Sequence, residues 1–100
     1  MEIVPYHVSY SGRVHESLRE LIIRADALGL GRKVFDAARE IERILRIYPQ
    51  FGQPLRDLAV GSAQLWIGVV PPLVVHYILD EEHRQVMVVR PMQPLSRRSL

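Results

Sequence analysis

The last third of the chain reads as three apolar strands joined by links too short for anything but reversal. The runs are AQLWIGVV (Ala63–Val70), LVVHYIL (Leu73–Leu79) and QVMVVR (Gln85–Arg90). A Val70-Pro71-Pro72-Leu73 joint and an Asp80-Glu81-Glu82-His83-Arg84 turn separate them. Connections this short make neighbouring strands antiparallel. A sheet with one wet face alternates apolar and polar residues, and these strands alternate poorly. Both faces of the predicted sheet are therefore expected to meet something dry.

Two amphipathic helices precede the strands. Val14, Leu18, Leu21, Ile22, Ala25 and Leu28 recur at spacings of three and four, which predicts a helix burying one stripe. Ser11 is placed to cap its start, and Gly29 stands where a left-handed residue would end it. A second stripe runs through Val34, Ala37, Ala38, Ile41, Ile44, Leu45 and Tyr48 and stops at Pro49. Its outer face carries charges, with Glu42 and Arg46 at a favourable spacing. The short Gly29-Leu30-Gly31 corner folds the helices into an antiparallel hairpin. Before them, Val4, Tyr6, Val8 and Tyr10 share one parity and predict an opening strand, with Pro5 at its start or edge. Gln50–Ser62 reads as a loop. The predicted fold class is α+β: strand, helix, helix, then three strands, with the helix hairpin on one face of a small, mainly antiparallel sheet. Residues 1–93 are expected to form one domain, followed by a short basic tail, 94–100, with Arg97-Arg98. The stretch Pro91–Leu100 is expected to be loosely held.

Composition excludes several classes. With 100 residues and 48% hydrophobic content, the chain can build a modest core unaided. It has no cysteine, which removes disulfide staples and thiolate metal sites. The start, MEIVPYHVSYSG, lacks the basic and apolar regions of a signal peptide, and no apolar run is long enough to span a bilayer, so a cytoplasmic location is expected. The net charge is +2, and the cations are arginines apart from Lys33. His7, His15, His76 and His83 show no metal-ligand spacing. No phosphate-binding glycine loop, nucleophile elbow or carboxylate pair appears, and no cofactor is implied.

Strand parity sorts the remaining side chains. In LVVHYIL, Leu73, Val75, Tyr77 and Leu79 share one face, and Val74, His76 and Ile78 the other. In AQLWIGVV, Leu65, Ile67 and Val69 form the cleaner apolar set and are expected to face the helices. The outer face would then show Trp66, Val74, His76 and Ile78, with Arg90 nearby. Tryptophan and arginine are enriched at interface hot spots and stack on bases, so this face reads as a binding platform. Asp80-Glu81-Glu82 reads as a solvated turn.

The element order and several local patterns resemble the RelE/ParE toxin superfamily of bacterial toxin–antitoxin systems. The carrying features are the opening Tyr6-His7-Val8-Ser9-Tyr10-Ser11, the helix hairpin, and the loop Pro54-Leu55-Arg56-Asp57-Leu58. Val75-His76-Tyr77 ahead of acidic Asp80-Glu81-Glu82, and a valine-rich last strand ending in Arg90, complete the match over about residues 6–93. The resemblance implies messenger-RNA cleavage on the ribosome or gyrase inhibition, and an antitoxin that masks the toxin. It carries over Arg56 and Arg90 as binding candidates beside Trp66 and His76. RNA-cleaving members usually carry an arginine four residues ahead of the position of Ile78, where this chain has Val74. They also place basic, histidine or tyrosine residues after the last strand, where Met92, Gln93 and Pro94 stand here. No catalytic residue is assigned. The expected function is a toxin-like protein that acts by binding, with a degenerate ribonuclease site. The alternative is a self-associating homodimeric interaction module without toxin activity.

Overall fold

Both helices form where the apolar spacing predicts them, and the corner between them is built by glycine. A computed structural model describes residues 4–95, and the side chains of residues 56–58 within that span are not described. Helix α1 spans Val14–Ala27 and α2 spans Gly31–Ile47. Gly29, at φ +76°, takes the left-handed position after α1. The Leu30 and Gly29 amides then donate to the carbonyls of Ala25 and Asp26, closing the end of the helix. A Cβ on Gly31 would lie 2.9 Å from the Asp26 backbone, so glycine is also what lets the second helix start this close to the first. Ser11 does not cap α1 as expected. Its carbonyl receives the Val14 amide, while its hydroxyl turns to the carbonyl of Val89. Tyr48 likewise leaves the predicted stripe, because the backbone extends after Ile47 and exposes its ring.

The sheet has the order β1-β5-β4-β3-β2, with β1 His7–Tyr10, β2 Gln53–Val60, β3 Ala63–Val70, β4 Leu73–Asp80 and β5 Gln85–Val88. The pairs β2/β3, β3/β4 and β4/β5 are antiparallel, and β1 joins β5 in parallel at one edge. The predicted loop Gln50–Ser62 is corrected: Pro49–Phe51 makes one tight turn and Gln53–Val60 forms β2. Arg56 and Asp57 hid this strand by breaking the apolar alternation, and its pairing with β3 shifts register between Pro54 and Ala59. The chain after β5 is also held more firmly than expected. Met92 is buried, a short β6 (Gln93–Pro94) pairs with the start of β4, and the Leu95 amide donates to Pro72 O at 2.7 Å. Arg97 and Arg98 lie outside the described residues.

The core lies between the helix hairpin and one sheet face. Val34, Ile41 and Leu45 of α2 and Leu21 of α1 are buried with Leu73, Val75, Tyr77 and Leu79 of β4 and Val86 and Val88 of β5. Each fully buried large side chain contributes about 1.5–3 kcal/mol of transfer free energy. This is the predicted α+β architecture, with two helices covering one face of a mainly antiparallel sheet. No helix among the described residues is long and apolar enough to cross a membrane.

Tyr77 is the largest fully buried side chain, and its hydroxyl donates to the carbonyl of Pro49 at 2.6 Å. Gly52 makes room for that contact, since a Cβ there would lie 2.4 Å from Ile67 O and 2.7 Å from the tyrosine oxygen. Neither neighbour can swing away, so Gly52→Ala is expected to cost about 1–3 kcal/mol through overpacking. Chemical denaturation should show a lower midpoint with an unchanged slope.

Candidate open-face site

Directly paired antiparallel residues share a face, so the register of β3 against β4 decides which side chains reach the helices. Trp66 pairs with Tyr77, and Gly68 with Val75. Trp66 therefore lies on the helix side, half-buried, with its ring stacked 6.4 Å from that of Tyr77. Its predicted place on the outer face is corrected. The set Leu65, Ile67 and Val69, expected to face the helices, instead pairs with Ile78, His76 and Val74 on the open side. Both parity sets of β3 are apolar, and only pairing with the large core residue of β4 separates them.

The open face is therefore greasier than the sequence suggested. Its centre holds Leu65, Ile67, Val74 and Ile78, all half-buried, flanked by Val69 at 46% and Met87 at 42% exposure. No helix or strand covers it among the described residues; the helices pack against the opposite face. Toward the β2 end, Val60, Ala63, Gln64, Leu65, Ile78, Val89 and Arg90 line a shallow depression of about 310 Å³.

Two of the four candidate residues meet here. His76 sits mid-strand between Val74 and Ile78, and Arg90 stands exposed at the end of the strand beside it. Burial lowers the His76 pKa and the nearby Arg90 charge lowers it further, so the imidazole is neutral at pH 7. Its Nδ1 is shielded from solvent and has no hydrogen-bond partner among the described residues. Arg90 makes no ion pair with any described carboxylate. Trp66 is on the other side of the sheet, and the Arg56 side chain lies outside the described residues.

The chemistry available is narrow. Val74, where the resemblance set out above leads to an expected arginine, occupies the open face two positions from His76. Cleavage through a 2′-hydroxyl builds charge on a pentacoordinate phosphate, and one preorganised donor is worth about 2.7–4 kcal/mol to such a step. Among the described side chains, the cations and bases near Val74 are the His76 imidazole and the Arg90 guanidinium. Met92, one of the residues in the post-strand segment, is buried and contributes no polar group.

A second polar group was missed in the sequence because its turn reads as solvated. At the far end of β4, Asp80 Oδ1 accepts from Ser62 Oγ at 3.0 Å and from the His83 amide at 3.1 Å. His83 Nδ1 lies 2.9 Å from Asp80 Oδ2 and 3.5 Å from Ser62 Oγ. Serine and aspartate thus address the same ring nitrogen, so no proton relay from the hydroxyl through the ring is set up. The group is a clasp that ties the β2–β3 turn to the β4–β5 turn. The Asp-x-x-His spacing across a turn was its available signal. Among the described residues, no three histidine or carboxylate side chains gather as a metal set.

No family model and no curated protein matches the chain. Among solved structures, it is similar to a chain in the crystal structure of the archaeal RelE–RelB complex from Pyrococcus horikoshii OT3. The TM-score is 0.66 at 18% identity, covering 92% of this chain and 97% of that one. The helix hairpin on an antiparallel sheet defines an α+β protein of one compact class. That class is RelE-like: this chain has the RelE fold.

The two histidines should titrate on opposite sides of the ordinary imidazole value near 6.5. His83 is raised, first by its hydrogen bond with Asp80 and then by that carboxylate's charge. Its stabilisation is complete below the unfolded-state value and fades as pH rises through the folded one. His76 is lowered, so it costs stability as pH falls below the unfolded-state value. Ring-proton NMR titration should resolve both. Asp80→Asn should bring His83 back toward the ordinary value and leave His76 in place.

Proposed function

We propose that this chain is a toxin-type protein of RelE fold that acts by binding, in the cytoplasm, with a protein partner docked on the open sheet face. The observation that carries the reading is the uncovered apolar surface of Leu65, Ile67, Val69, Val74, Ile78 and Met87, on which Val74 replaces the expected arginine. A contiguous exposed apolar patch marks an interaction site in a soluble domain. The structural neighbour is a RelE captured in complex with RelB, which supports an antitoxin-like chain as the partner. The sparse charge supports loss of RNA cleavage.

Expression in bacteria tests the catalytic half. The native chain should leave transcripts intact, whereas Val74→Arg, which restores a second cation beside His76, is the variant placed to regain cleavage. Cut transcripts from the native chain would overturn the degenerate-site reading. Light scattering on the purified chain tests the occupant: a monomer that binds a co-expressed partner supports the proposal. A stable homodimer abolished by Met87→Glu would replace it with self-association.

A further inference from the structure

The chain carries three methionines and no cysteine, so thioethers are the groups that a peroxide oxidises first. Met1 lies outside the described residues, and the fold places the other two in opposite settings. Met92 is buried, at 4% exposure, where the chain turns back after β5. Met87 stands on β5 at 42% exposure, paired with Ile78 of β4 on one side and Ser9 of β1 on the other. The pairing with Ile78 sets it on the open face, away from the helices.

Met87 marks a boundary on that face. Toward β3 the neighbouring side chains are hydrocarbon, with Ile78 beside it and Leu65 beyond. Toward the sheet edge they are polar: Ser9 directly across, and the His7–Gln85 pair further along. A thioether suits this place because it is apolar, polarizable and adaptable in shape. Its backbone is paired on both sides within the sheet, and its side chain takes no part in the core under the helices. A change at the sulfur therefore alters the face without opening the core.

Oxidation by hydrogen peroxide is such a change. The sulfur lone pair attacks one peroxide oxygen, and the O–O bond breaks as the S–O bond forms. The departing hydroxide takes up the proton of the transferred oxygen and leaves as water. Sulfur loses two electrons, and the peroxide is reduced by the same two. The new oxygen is a hydrogen-bond acceptor, and an apolar surface laid over it removes its water without replacing it. Conversely, a surface already seated there shields the thioether from peroxide. Occupancy and oxidation oppose one another.

Resting on the docking reading above, we infer that Met87 is a peroxide-sensitive switch on the open face. The thioether form accepts an apolar partner surface, and the sulfoxide form rejects it. Oxidation acts on the free chain, and reduction of the sulfoxide resets the face.

Treatment of the full-length chain with dilute hydrogen peroxide, followed by peptide mass mapping, tests the selectivity. Nile red, a neutral apolar dye, reports the state of the face. Val69→Glu or Met87→Glu, each shown to be folded by circular dichroism, should lose the dye and so define open-face binding. Oxygen should enter Met87 well before Met92. Dye affinity should then fall roughly tenfold, the magnitude of one polar group covered without a partner. Methionine sulfoxide reductases of both stereospecificities, with dithiothreitol as reductant, should restore it. Met87→Leu, whatever its own affinity, should no longer respond to peroxide. Equal oxidation of Met87 and Met92, or a sulfoxide at Met87 that leaves dye binding unchanged, would overturn the inference and leave the docking reading standing. Dye binding indifferent to both face variants would overturn the docking reading and the inference with it.

Discussion

The burial of Tyr77 organises this molecule. Its ring fills the space under the helix hairpin, its hydroxyl holds the carbonyl of Pro49, and Phe51 and Trp66 stack against it from β2's approach and from β3. Two glycines accommodate the cluster. Gly52 lets the chain pass the tyrosine oxygen, and a Cβ on Gly68 would strike the Phe51 ring at 2.4 Å. An aromatic this large can be enclosed on one side of a sheet only. Once it points to the helices, antiparallel pairing sends Trp66 the same way and turns Leu65, Ile67 and Val69 outward.

That sorting makes the open face a consequence of core packing. Four neighbouring strands present their second parity to it, and the second parity of β3 and β4 is nearly all hydrocarbon. His76 and Asp80 of β4 share that parity, Arg90 reaches the face from beyond β5, and Ser62 and His83 hold Asp80 at the end of the strand. The same strand thus holds two polar sites with opposite electrostatics. In the middle of β4 burial and a nearby cation lower the pKa of His76, and just past its end the Asp80 carboxylate raises that of His83.

The helices, the corner at Gly29 and the three long strands were legible in the sequence, because period 3.6, a positive-φ glycine and strong apolar runs are local signals. Strand β2 was not legible. Its Pro54, Arg56 and Asp57 disguise a segment that exists because β3 offers an unpaired edge. The faces of β3 were only half legible. Parity separates Leu65, Ile67 and Val69 from Trp66, Gly68 and Val70, but both sets are apolar, so only the partner strand could say which points inward. His76 and Arg90 lie near one another, and Trp66 is on the other face for that reason. The His83 clasp depends on Ser62 from another turn, which no local pattern contains.

On the proposed reading, a missing catalytic charge and a docking surface would both follow from valine at position 74. An arginine there would stand on the open face, and covering it with a protein segment would require removing its hydration. Interface centres are depleted of charge for this reason, while arginine persists at their edges as a specific anchor. On that reading, valine near the start of β4 and an exposed arginine at position 90 suit a surface that meets a polypeptide. A phosphate-cleaving surface requires the reverse: several cations converging on one point, with water replaced by fixed dipoles aimed at the developing charge.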